Sequence, residues 1–333
     1  MYSAVIHHLT IYHGTLPTKP VSRIMVHLSK ARQDDGHFST TEVKSADEPS
    51  LSTSRIVAFP RNPYKQPPNI AAGFRSLNIS SEGPVRANLT ANEIKKETFK
   101  IAIETWGNST LYAAGATWIE HKAQARECIF GQFDTQDASP PNAQSATAPK
   151  ASVTKQHVVH TDPVPQKYGQ PCFFPKPFHE PPNVVVWLNR LDLGSGIERD
   201  YKIRASISEV EGQSFTAHLD TWDDGELNGA AMCWIAFPKR KRNVDSGSFS
   251  THDVRKRTDP RAKTSARVNF QQRFGNVSTV LAALNMLDAA GNADLRDSVN
   301  ISEVDREGFR WTLETWGDST LYAAGASWIA LGS

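Results

Sequence analysis

The stretch TWGNSTLYAAGATWI at residues 105–119 returns almost unchanged as TWGDSTLYAAGASWI at residues 315–329. Thirteen of the fifteen positions are identical, and the exceptions are Asn108/Asp318 and Thr117/Ser327. A worn third copy, TWDDGELNGAAMCWI at residues 221–235, keeps the Thr-Trp start and the Trp-Ile end at the same spacing. Self-similarity of this kind marks repeated structural units. A chain of 333 residues is long for one domain and natural for three of about 100 residues each.

Upstream of each copy lies a matching opening: GHFSTTEV from Gly36, GQFDTQDA from Gly131 and GSFSTHDV from Gly247. An acidic-Pro pair follows twelve residues after that Gly in copies one and three, as Glu48-Pro49 and Asp259-Pro260. In copy two the pair is Asp162-Pro163, thirty-one residues on, and the excess falls in a Ser/Ala/Pro-rich run. Such composition reads as a flexible loop over 138–157. The expected organisation is an N-terminal extension at 1–35, poorly ordered apart from one short strand at 22–28, then domains at 36–121, 131–238 and 247–333. Linkers at 122–130 and 239–246 join them.

Between the acidic-Pro pair and the Trp motif, apolar and polar residues alternate with period two. In FKIAIETW, Phe99, Ile101, Ile103 and Thr105 share one face. VRANLTANEI, YKIRASISEV and LRDSVNISEV do the same, and turn residues separate the runs. This pattern predicts antiparallel strands with one buried face. Six strands per copy and no helix make an all-β chain of three tandem six-stranded antiparallel β-sandwiches.

Composition narrows the function. A net charge of +2 gives no global attraction to nucleic acid, and no apolar run is long enough to span a bilayer. The first twenty residues lack a basic segment followed by an apolar one. The expectation is therefore a cytoplasmic protein or one secreted by a non-classical route. Cys128, Cys172 and Cys233 stand at unrelated places in the copies, which argues against a disulfide framework or zinc site. No GxSxG, HExxH, Walker or GxGxxG motif is present, and the repeated acid occurs once per copy rather than as a pair. An enzyme is not expected. The five Asn-x-Ser/Thr sequons are short enough to arise by chance in Asn/Ser/Thr-rich strands. The basic run at 238–242 reads as a solvated linker.

Strand parity puts Trp106, Trp222 and Trp316 on the polar side at a strand end. Tyr112 and Tyr322 follow six residues later in copies one and three. Arg86, Lys202 and Arg296 stand thirteen residues before each strand's Phe, also facing outward. With the acidic-Pro residue, each copy offers acid, cation, Trp and Tyr. Such a set suits sugars, because an aromatic face packs on the C–H patch of a pyranose while charged groups bind its hydroxyls. The competing reading buries the outward Trp between copies, in a purely structural or protein-binding repeat. Trp118, Trp234 and Trp328 are assigned to the core.

These features resemble the H-type lectins. The resemblance rests on FPRNPYKQPPNI and FFPKPFHEPPNV, the outward Arg, the Phe-led strand, and Thr-Trp-x-Asn/Asp…Tyr…Ser/Thr-Trp-Ile, in all three copies. It implies sandwiches that associate in threes, here as an intramolecular pseudo-trimer that stays monomeric or assembles further. It also implies multivalent recognition of glycans with terminal galactose or N-acetylgalactosamine, for adhesion or defence, without metal or other cofactor. The family's acid falls on Glu48, Asp162 and Asp259, and its Arg on Arg86 and Arg296. Its Trp falls on Trp106, Trp222 and Trp316, and its Tyr on Tyr112 and Tyr322. Copy two departs twice, with Lys202 for Arg and Asn228 for Tyr. An ammonium cannot reproduce a planar guanidinium fork. If each site were shared between neighbouring copies, copy two would damage both clefts it borders and only the cleft between copies three and one would keep the whole set.

Overall fold

The alternating strands form as the sequence pattern predicts, and they pair in a way that local periodicity does not reveal. A computed structural model of the chain describes residues 35–59, 64–123, 125, 127–136, 167–196, 199–276 and 279–332. The expected strand at 22–28, the long loop of copy two and Asp162 lie outside the described residues.

Copy one supplies β1 (Asp35–Ser39), β2 (Ser52–Ala58), β3 (Asn69–Ile79), β4 (Val85–Asn92), β5 (Thr98–Glu104) and β6 (Leu111–His121). Copy two supplies β7 (Ile129–Asp134), β8 (Lys167–Phe173), β9 (Asn183–Leu193), β10 (Tyr201–Ser208), β11 (Ser214–Asp220) and β12 (Leu227–Phe237). Copy three supplies β13 (Val244–Ser250), β14 (Lys263–Asn269), β15 (Thr279–Ala289), β16 (Leu295–Ser302), β17 (Gly308–Glu314) and β18 (Leu321–Leu331). Two single 3-10 turns, Thr40–Glu42 and Thr251–Asp253, are the helical pieces among the described residues. The strands β7 and β13 begin inside the expected linkers, at Ile129 and Val244, because both pair with the closing strand of their own copy.

Each copy splits its six strands into two groups of three. One group continues into the preceding copy's sheet and the other into the next, giving three six-stranded sheets of mixed origin. Their orders are β1-β6-β3-β16-β17-β14, β13-β18-β15-β10-β11-β8 and β2-β5-β4-β9-β12-β7. The seams are the short antiparallel ladders β4·β9, β10·β15 and β16·β3. The three copies therefore close on one another as an intramolecular pseudo-trimer. Continuous hydrogen bonding across the seams removes three pairs of free sheet edges.

Inward residues build one large core. Phe99, Phe215 and Phe309 are almost wholly buried, and Trp118, Trp234 and Trp328 pack edge-on against them with ring centroids 5.2–5.5 Å apart. The expectation that these three Trp residues belong to the core holds. A second apolar cluster draws Ala71, Val185, Trp187, Cys233, Leu281 and Ala283 from all three copies. At its centre the equivalent positions of β3, β9 and β15 carry Gly73, Trp187 and Ala283. A Cβ built on Gly73 would lie 2.3 Å from the Cβ of Trp187 and 2.8 Å from that of Ala283. One indole thus fills the common axis while the other two copies make room. Its Nε1 donates to the Ser327 carbonyl at 2.9 Å, so the buried N–H is satisfied.

Candidate functional site: three clefts at the seams

In an antiparallel ladder, directly opposed residues point to the same face. At the second rung of each seam stands the repeated cation, and the register fixes its partner. Arg86 faces Asp192, Lys202 faces Asp288 and Arg296 faces Asn78. The partner's sheet then carries a bulge one strand further on, skipping Tyr112, Asn228 or Tyr322. The cation and the Trp of one copy thus meet the Tyr or Asn of the next. Each of these clefts is lined by two neighbouring copies.

The Trp strand is tied to the cation strand beneath it. Thr105 and Thr315 donate from Oγ1 to the carbonyls of Arg86 and Arg296 at 2.8 and 2.6 Å. Past each Trp the chain turns through Gly107 or Gly317, with φ of +64° and +66°. A Cβ at either would meet the guanidinium nitrogen at 2.7 Å, so glycine here serves both the turn and the close approach of Arg. Copy two has Asp223 at this place, still with φ of 48°, beside the slimmer Lys202. The next residue, Asn108, Asp224 or Asp318, accepts from the cation in every copy. The Arg296 pairing holds the Asp318 carboxyl below the usual carboxylate range.

The acidic-Pro loop is set by a capped 3-10 turn. Ser39 and Glu42 form a reciprocal capping box in copy one, as Ser250 and Asp253 do in copy three. A loop cation then braces the Tyr strand. Lys44 Nζ donates to the Tyr112 carbonyl at 3.0 Å, and Arg255 Nη1 to the Tyr322 carbonyl at 2.7 Å. Glu48 and Asp259 themselves are exposed. Asp259 is held by Arg261 at 2.6 Å, which keeps its carboxyl below the usual range.

The clefts differ. In the cleft between copies one and two, Asp192 Oδ1 accepts from Arg86 Nε at 3.0 Å and from Asn228 at 3.4 Å. The Arg86 guanidinium stands 6.0 Å from the Trp106 ring, and Asn228 stands where the other copies carry Tyr. In the cleft between copies two and three, the ammonium of Lys202 lies among Asp200, Asp223 and Asp224. Trp222 has Arg204 at 6.0 Å. In the cleft between copies three and one, Asp294 holds Arg296 at 2.6 Å and accepts from the Ser81 amide across the seam at 2.9 Å. Trp316, at 40% exposure, is the most open of the three indoles. Asn78 Oδ1, opposite Arg296, has no hydrogen-bond partner.

Of the predicted site residues, the structure brings Arg86, Trp106 and Asn228 to one cleft, and Lys202, Trp222 and Tyr322 to the second. Arg296, Trp316 and Tyr112 come to the third. Glu48 and Asp259 sit on the loops that brace the Tyr strand in the last two. Sequence reading missed Asp192, Asp288 and Asn78, although each occupies the same place in an apolar strand (LNRLDL, LNMLDA, RSLNI). It also missed Arg257 and Asp200. Among the described residues no group of three or more His, Cys, Asp or Glu is placed to hold a metal ion.

Comparison with known proteins agrees with this architecture. The sequence model of the H-type lectin domain matches residues 54–119, 170–237 and 265–331, together more than half of the chain. The chain belongs to the H-type lectin family, and its general role is carbohydrate binding. It is also 29% identical over 66 residues to a Fuscovulum blasticum protein described as "ATP synthase subunits region ORF 7". That match covers 20% of this chain and 57% of the length of that relative.

Proposed function

We propose that the protein binds a terminal galactose-type sugar, galactose or N-acetylgalactosamine, without a divalent cation, and that one cleft carries most of the affinity. The observation that supports this reading is the cleft between copies three and one. It alone combines Arg296 and an open Trp316 on one wall with Tyr112 and the Glu48 loop on the other. The indole offers its face to the apolar side of the ring. The guanidinium, already fixed by Asp294 and Asp318, is preorganised to donate to hydroxyls.

Copy two weakens its two clefts in different ways. Asn228 removes an aromatic wall from one, and Lys202 removes the planar fork from the other. Losing one charge-assisted hydrogen bond costs about 1.5–3 kcal/mol, or more than tenfold in affinity. Calorimetric titration of the chain with monovalent sugar is expected to give about one strong site. Three equal sites would overturn this reading, and no binding of any galactose-type sugar would remove it altogether. With one strong site per chain, multivalent recognition would require several chains on one surface.

A further inference from the structure

The cleft between copies two and three holds an arginine with no counterpart in the cleft between copies three and one. Arg257, two residues before Asp259 in the loop of copy three, reaches over the Tyr322 ring with its guanidinium carbon 4.5 Å from the centroid. It donates to both oxygens of Asp288, at 2.7 and 3.1 Å, and to Asp200 of copy two at 3.1 Å. It therefore clamps both walls of the cleft and lies on the aromatic face a pyranose would need. The same loop position in copy one is Ala46, and the residue opposite the seam cation there is Asn78 instead of Asp288.

We propose that Arg257 is a built-in plug that closes the cleft between copies two and three to sugar, and that this cleft is a latent second binding site. The idea rests on the lectin reading above and adds a cause for the inequality of the clefts beyond the substitution of Lys202. A guanidinium bound to two carboxylates and stacked on an aromatic ring is strongly held, so a weak neutral ligand does not displace it. The arrangement is asymmetric by composition. Copy three supplies the plug, its buried acid and the ring it covers, while copy two supplies the second anchor, Asp200.

The test uses the full chain with Arg257→Ala and, in parallel, Arg257→Ala combined with Asp288→Asn. The double variant avoids leaving Asp288 buried without a partner and copies the Ala46/Asn78 pattern of the open cleft. Thermal denaturation verifies that both fold. Titration with methyl galactoside or N-acetylgalactosamine is expected to rise from about one site per chain to two. The new site should be about tenfold weaker than the first, since Lys202 remains. Adding Tyr322→Ala should remove the new site and leave the original. A second readout is independent of sugar: nitration of Tyr322, followed by peptide mapping, should speed up severalfold relative to Tyr112. The reverse exchange, Ala46→Arg with Asn78→Asp, should silence the strong site. Unchanged stoichiometry in both opened variants, with the strong site intact, would overturn the plug, as would unchanged nitration of Tyr322. If no form of the chain binds sugar, the lectin reading fails, and the nitration result still decides whether Arg257 covers the ring.

Discussion

The clefts between copies three and one and between copies two and three are built from the same strands, the same bulge and the same braced loop. They differ in how charge is disposed inside them. In the first, acids from copy three hold Arg296 from its own side, and Trp316 stays exposed. In the second, acids stand on both walls, Asp200 and Asp288, and they recruit Arg257 across the opening. The contrast lies in which group bridges the opening: a backbone amide to Asp294 in the first, a guanidinium over an aromatic ring in the second. A repeat protein can retain the scaffold of a site in every copy and close one by adding a single countercharge.

Four experiments break or sharpen this contrast. The largest expected effect concerns the seam of the open cleft itself. Asp297 follows Arg296 on β16, is wholly buried, and has no side-chain countercharge beside it among the described residues. Burial pushes its carboxyl from 3.8 up to about 8. Below pH 4 the folded and unfolded chains both hold this proton, and the carboxyl exacts no penalty. As pH rises, the unfolded chain ionises while the folded chain keeps the proton up to about pH 8, so stability falls across that window and then levels off. At about 1.4 kcal/mol per pH unit, the loss reaches roughly 4 kcal/mol at pH 7. Asp297→Ala, matching Ala87 of copy one, should raise the unfolding free energy by an amount of that order at pH 7 and flatten its decline between pH 4 and 8. Urea titrations across this range measure it, and a variant with the wild-type slope would show that this seam is not strained by its acid.

Trp316→Ala should weaken the strong site about a hundredfold, a typical size for loss of a buried aromatic anchor at an interface. Trp222→Ala, in the plugged cleft, should leave the titration unchanged, and equal losses in the two would erase the contrast. Arg296→Lys tests whether the planar fork matters. About tenfold weaker binding is expected, with no change in stoichiometry. The smallest effect is none: saturating EDTA should not alter the affinity, and its loss with recovery on adding calcium would remove the metal-free reading.

The strands were legible because alternation is local, and the buried Phe and Trp residues fell where period two placed them. The closing of the sheets across copies was less so. The seam ladders join residues about 80 to 220 positions apart, such as Leu295 with Ile79, and no short-range pattern encodes that register. Within the clefts, repeat reading found what the copies share, namely cation, Trp and Tyr. It was blind to positions where the copies differ. Arg257 stands opposite Ala46, Asp200 and Asp294 have Pro84 in their place in copy one, and Trp187 stands opposite Gly73 and Ala283. The acidic-Pro residue was legible as a repeated position, but its carboxylate in copy three turns to its neighbour Arg261.

The unequal layer on the common axis has a consequence for what the three units can do apart. Three copies of the second unit would bring three indoles to a space that accepts one. Three copies of the first would leave that space hollow, and even an added methyl at Gly73 meets two neighbours. Copies of the second unit alone should therefore fail to close a symmetric ring, however alike the three surfaces look. With Trp187 in place, Gly73 has no room even for a methyl group.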